Sequence, residues 1–127
     1  MSVAVQIDAL RGELESEGAA AYLVTVAPDG SPHVVSVLVG WVDDRLGVGG
    51  GRRTAANVVE RPAVTLLWPT PDDGGLSLIV DGQAEVVGEQ VLITPTFAIR
   101  HRSVTDPDGS RRSDCAVLAP PADAGAM

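Results

Sequence analysis

The residues best equipped for chemistry are Gly49-Gly50-Gly51-Arg52-Arg53-Thr54, which stand between a short apolar run and a helical stretch. Glycines let a backbone approach a ligand closely and turn successive N–H groups toward it. A helix starting directly after them adds free N–H groups and the positive end of its dipole. Arg52 and Arg53 supply charge-assisted donors, and Thr54 supplies a hydroxyl. That is the chemistry of a phosphate cradle. In a chain of formal net charge -8, two adjacent arginines also make a local positive spot for an anion. The same six residues also read as a flexible loop with two solvated arginines, because short glycine motifs recur by chance. Two better-known phosphate loops are excluded: there is no GxxxxGK[ST], and the glycine spacing does not fit GxGxxG in a βαβ unit.

Other chemistry-bearing groups read as structural. His33 flanks a turn and is expected to face solvent, and His101, within Arg100-His101-Arg102, is expected at a strand end. The acid pairs Asp43-Asp44 and Asp72-Asp73 sit in turn contexts, where carboxylates bond the local backbone. No nucleophile elbow and no Cys/His metal spacing occur, so neither a hydrolase triad nor a metal site is expected. A lone histidine as an axial haem ligand is a minor option. All nine basic residues are arginine, which excludes Schiff-base chemistry on a lysine of this chain. No catalytic side chain is assigned.

The elements that must position the glycine-arginine segment are mostly strands. The chain has 127 residues, the size of one domain, with 45% hydrophobic and only 3% aromatic residues. Its core must therefore be built from Val, Leu, Ile and Ala, and β-branched residues favour pleated sheets. Ile7, Leu10 and Leu14 recur at helical spacing and Gly18 ends that helix. The patterns then predict strands over 20–27, 33–42 and 46–48, a short helix over 54–59, and strands over 63–68 and 76–87. The last of these carries a bulge or bend at Asp81-Gly82. Two final strands, 90–94 and 96–102, are predicted to be separated at Pro95. Six or seven short antiparallel strands with two short helices predict a mainly β, closed or partly open barrel. The domain is expected to span 1–102, and the Pro-, Asp-, Ser- and Arg-rich residues 103–127 a loosely ordered tail, with Cys115 in it.

Acidity argues against nucleic acid as a partner. The single cysteine, the mixed acidic N-terminal residues and the lack of an apolar run near about 18 residues predict a cytoplasmic protein with no membrane contact. High apolar content in so small a domain is compatible with a buried dimer interface.

Three segments, in order and spacing, resemble the pyridoxamine 5'-phosphate oxidase-like FMN-binding split-barrel family, which includes flavin- and deazaflavin-dependent oxidoreductases. They are AYLVTVAPDGSPHVVSVLVGW, DDRLGVGGGRRTAANVVERPAVTLLW and SLIVDGQAEVV, within Ala21 to Val87. The family shows a T-x-x-x-D-G-x-P-H-x-x-P-V hairpin, an S-R-K-x-x-N-L phosphate segment and a V-x-G-x-A-E strand. The resemblance implies a homodimeric split barrel holding FMN or the deazaflavin coenzyme F-420 at the dimer interface. By position, Val35, Ser36 and Val37 would lie beside the ring, and Arg52, Arg53, Thr54 and Asn57 would hold the phosphate end. Trp68 resembles an interface aromatic facing the partner's cofactor, or is a buried core residue. Arg100 and Arg102 are candidate donors to the longer anionic tail of the deazaflavin.

The departures are specific. Val34 and Val39 stand where the oxidase itself has arginine and lysine, Thr54 replaces the phosphate lysine, and Ser36 replaces the strand proline. Pyridoxamine phosphate oxidation is therefore not expected. The resemblance implies an oxidoreductase passing hydride between the cofactor and a small organic substrate. The alternative is a flavin-binding protein for storage or sensing, without turnover.

Overall fold

Turn chemistry decides where the strands stop. At Pro28-Asp29-Gly30-Ser31 the chain reverses with Gly30 at φ 86°, a left-handed conformation that suits glycine. The Asp29 carboxylate accepts from the Ser31 N–H at 3.0 Å and its hydroxyl at 2.6 Å. Pro107-Asp108-Gly109-Ser110 repeats the device, with Gly109 at φ 89° and the same two bonds onto Asp108. Both carboxyls are held below the ordinary value, first by the serine hydroxyl and then by the serine N–H.

The structure, a computed structural model, describes residues 9–70, 75–105 and 107–119. In chain order it has helix α1 (Leu10–Glu15), strands β1 (Ala20–Val26), β2 (Pro32–Val42) and β3 (Arg45–Gly49), helix α2 (Arg52–Glu60), and strands β4 (Ala63–Trp68), β5 (Ser77–Val87), β6 (Gln90–Thr105) and β7 (Arg111–Ala119). The sheet order is β3-β2-β1-β4-β5-β6-β7, and β3 also pairs with β6. Six antiparallel strands thus close into a ring, and β7 is added to β6 outside it. This is the mainly β barrel expected from the strand pattern, and it is consistent with the split barrel that the resemblance implies. Its interior is aliphatic: Leu23, Leu46, Leu66, Leu78, Val80 and Ile93 are sealed from solvent. Each such side chain contributes roughly 1.5–3 kcal/mol by leaving water.

Two expectations are corrected. Pro95 does not split the sixth strand, which runs unbroken through it. Pairing of β6 with β3 ends at Ile93 and pairing with β7 begins at Ala98, so Pro95 falls where one side of the strand has no neighbour. There a missing N–H breaks no ladder bond. Residues 103–105 and 111–119, expected in a loose tail, continue β6 and form β7. The β6–β7 hairpin is joined by its turn and by backbone pairing from Thr105 with Arg111 to Ala98 with Ala119. Ile7, Asp72 and Asp73 lie outside the described residues.

The bend at Asp81-Gly82 is present as a register shift between those residues. Thr65 donates to the Asp81 carboxylate at 2.6 Å, and Thr96 donates to the Asp81 carbonyl at 3.2 Å. A side-chain carbon on Gly82 would stand 2.6 Å from Ile93 Cγ2 and 2.6 Å from the Thr94 carbonyl oxygen. The second of these is backbone and cannot swing aside. Gly82→Ala is expected to lower stability by about 1–3 kcal/mol, read as an earlier urea midpoint. An unchanged midpoint would show that β6 is free to move away from β5 at the bulge.

Candidate functional site

The glycine-arginine segment links β3 to α2. Of its glycines, Gly50 is required by packing, since a side-chain carbon there would meet Val91 Cγ2 at 2.9 Å. Gly49 and Gly51 face open space within 4 Å. Gly51 is the N-cap of α2 in extended conformation, without a side-chain cap. The first intrahelical bond is Ala55 N–H to the Gly51 carbonyl at 3.0 Å. The N–H groups of Arg52, Arg53 and Thr54 therefore precede the first intrahelical donor and need partners from elsewhere.

Three side chains at this helix start share that condition. Arg52 and Arg53 are exposed, and no ion pair or hydrogen bond engages either among the described residues. Thr54 is 1% exposed and its buried hydroxyl has no hydrogen-bond partner. Buried polar atoms without partners are rare enough to need a reason. An anion at the turn meets the needs of the backbone donors, the hydroxyl and the arginines together, so these residues fit the phosphate of a flavin-type cofactor.

One turn further along, Asn57 is buried and its side-chain amide donates to Thr25 Oγ1 on β1 at 3.0 Å. This bond ties α2 to the barrel wall. Asn57 and Arg53 line a groove of about 380 Å³ with Asp29, Ser31 and His33. His33 is thus not the solvent-facing residue expected from the sequence. It is half-buried and its Nδ1 lies 3.5 Å from Thr25 Oγ1. The run Val34-Val35-Ser36-Val37 is nearly all apolar, so it carried no signal of which residues alternate inward.

Beside the groove, β2 has an open edge. Pro32–Leu38 pair with β1, and only Val39–Val42 pair with β3. Among the described residues, the other side of β2 is unpaired from Pro32 to Leu38, so main-chain polar groups there are available to a ligand. Val37 is buried and Val35 packs against the core, whereas Ser36 is exposed. Of the three ring-side candidates, Ser36 alone points its side chain outward, and Val35 and Val37 have main chain to offer.

The outer surface of this wall is apolar. Tyr22 of β1 registers with Ser36 of β2 and Leu67 of β4, and Ala20 registers with Leu38. Leu38 is 73% exposed and Val34 56%. A contiguous apolar sheet face of this kind marks an interaction surface.

The remaining candidates lie elsewhere. Trp68 is 2% exposed, and its indole N–H donates to the Gly18 carbonyl at 3.1 Å. It borders a second cavity of about 250 Å³, with Trp41, Val39 and Leu14, at the other end of β1 from the groove. Arg100, expected as a donor to an anionic tail, is engaged within the chain. It bonds Glu13 at 2.8 Å, and it bonds Glu17. Burial pulls its pKa down, but the hydrogen bonds it donates to Glu13 and Glu17, with their charges, more than offset this and leave it raised. Contacts separated by 87 residues have no local sequence signal. Arg102 and His101 each have a partner within the molecule.

Comparisons with known proteins agree with this fold. Uncharacterised proteins of Mycobacterium bovis and Mycobacterium tuberculosis are each 36% identical over 106 residues, covering 74% of this chain and 67% of theirs. The fold is shared with a general stress protein 26-related protein of Clostridium acetobutylicum (TM-score 0.60, 11% identity, 87% of this chain and 96% of that one). It is also shared with an F420 reductase (TM-score 0.54, 21% identity, 63% and 88%). A third is a pyridoxamine 5'-phosphate oxidase-related, FMN-binding protein of Nostoc punctiforme (TM-score 0.54, 13% identity, 88% and 93%). Residues 7–116 match the profile of the family described as Pyridoxamine 5'-phosphate oxidase, and this chain belongs to that family of FMN-binding split barrels.

Proposed function

We propose that this protein is a flavin- or deazaflavin-dependent oxidoreductase that binds its cofactor phosphate at Gly49–Thr54 and works as a homodimer. The observation that carries the reading is the cluster of unmet donors at the start of α2. Free N–H groups, a buried Thr54 hydroxyl without a partner and two unengaged arginines all belong to its first turn. Arg52, Arg53 and Thr54 would hold the phosphate, and the open edge of β2 from Val35 to Val37 would lie along the ring. Asn57 acts indirectly, by fixing α2 against Thr25. The bound cofactor would supply hydride transfer to a small organic substrate, and the protein would supply orientation and exclude water. Val34 is exposed and Val39 packs against the core, so neither brings the charge expected of a pyridoxamine phosphate site.

FMN and coenzyme F-420 both satisfy the phosphate contacts. The fold shared with an F420 reductase and with an FMN-binding protein supports either. Titration of the purified protein with each, followed by fluorescence, is expected to give saturable binding of at least one in the micromolar range. Arg52→Ala and Arg53→Ala are each expected to weaken it by roughly 1.5–3 kcal/mol. Absence of binding by a folded protein, or binding untouched by both changes, would remove the phosphate assignment.

The apolar face of β1 and β2 supports a second copy as the partner, since Leu38 and Val34 would otherwise leave a large apolar surface in water. Leu38→Glu is expected to turn a dimer into a monomer by light scattering. A monomeric parent protein, or a dimer indifferent to that charge, would contradict this.

A further inference from the structure

Three polar side chains form a line from α2 to the groove. Asn57 donates its amide hydrogen to Thr25 Oγ1 at 3.0 Å, and that oxygen stands 3.5 Å from His33 Nδ1. Thr25 is fully buried and Asn57 nearly so. The Thr25 oxygen accepts from Asn57, and its hydroxyl meets His33 Nδ1 as donor or acceptor according to the ring's tautomer. In the tautomer that accepts at Nδ1, the ring carries its proton on Nε2. The line's outer end is an imidazole in a groove shared with Arg53.

We propose that His33 is a ligand-contacting residue of this site, whose Nε2–H donates to an oxygen of the cofactor's phosphate. The proposal rests on the cofactor reading above and adds to it a second donor in the groove that Arg53 lines. Asp29 also borders the groove, and its carboxylate is already bonded by the Ser31 N–H and hydroxyl. Those bonds hold it in the turn and blunt its repulsion of an anion. The Thr25–Asn57 pair is a positioning device: it holds the His33 ring relative to the helix that carries Arg53.

The test compares each cofactor with its phosphate-free counterpart, the flavin pair differing in the phosphate alone. Affinities of FMN and riboflavin, and of the deazaflavin coenzyme and its phosphate-free riboside, are measured for the parent protein and for His33→Ala, His33→Gln and Thr25→Val. Thermal melts accompany each variant. His33→Ala is expected to weaken the phosphorylated ligand on the order of tenfold and to leave the phosphate-free one unchanged. His33→Gln, whose amide nitrogen reaches the position of Nε2, is expected to recover most of that loss. Thr25→Val is expected to lower the melting temperature and also to weaken the phosphorylated ligand selectively. If the parent binds flavin and His33→Ala alters both members of a pair equally, or neither, the contact is overturned while the cofactor reading stands. If the parent binds none of the four ligands, both fall together.

Discussion

Closure of the barrel depends on β3, a strand only five residues long. On one side it pairs with Val39–Val42 of β2, and on the other with Gln90–Ile93 of β6. Four residue pairs on each flank join the first half of the chain to the second. Because β2 has eleven residues, most of it extends past the end of β3, and among the described residues its edge from Pro32 to Leu38 is left without a strand. The chain leaves β3 through glycines and starts α2 beside that gap. One short strand therefore produces the open edge, the turn and the helix start, and brings the three together.

Rigidity at this place comes from polar contacts as much as from apolar burial. α2 buries Val58 against the barrel, but it also buries Asn57, whose amide would be costly to enclose without Thr25. A directional bond fixes the helix along its axis better than aliphatic contact alone, and the position of Arg53 follows from it. At the other end of the barrel α1 is held by Leu10, Leu14 and the paired carboxylates on Arg100. That end supports the fold, and its cavity lies away from the glycine turn.

Much of this was legible in the sequence where local chemistry speaks. Ala63 to Trp68 was bounded by Arg61-Pro62 and Pro69, and the strand has those limits. Asp81-Gly82 inside an apolar run announced a bulge, and close approach of the Thr94 carbonyl explains why glycine is there. The glycine-arginine segment was found from residue types alone, and the structure adds which glycine serves packing. What stayed hidden depended on distant partners or on phase. His33 borders a run of valines without alternation, so its inward direction could not be read. The engagement of Arg100 joins residues at opposite ends of the chain. The β6–β7 hairpin lies in a segment whose composition resembles a tail, although Pro107-Asp108-Gly109-Ser110 repeats the turn at Pro28.

The central claim is that a phosphate-bearing cofactor sits between the start of α2 and the open edge of β2. Amide hydrogen exchange, with and without saturating FMN or the deazaflavin coenzyme, reports on those backbone donors directly. The account predicts slowed exchange at Arg52, Arg53 and Thr54 and along Val35 to Val37, with little change around Trp41 and Trp68. Protection confined to the tryptophan cavity, or none at the turn despite bound cofactor, would contradict it.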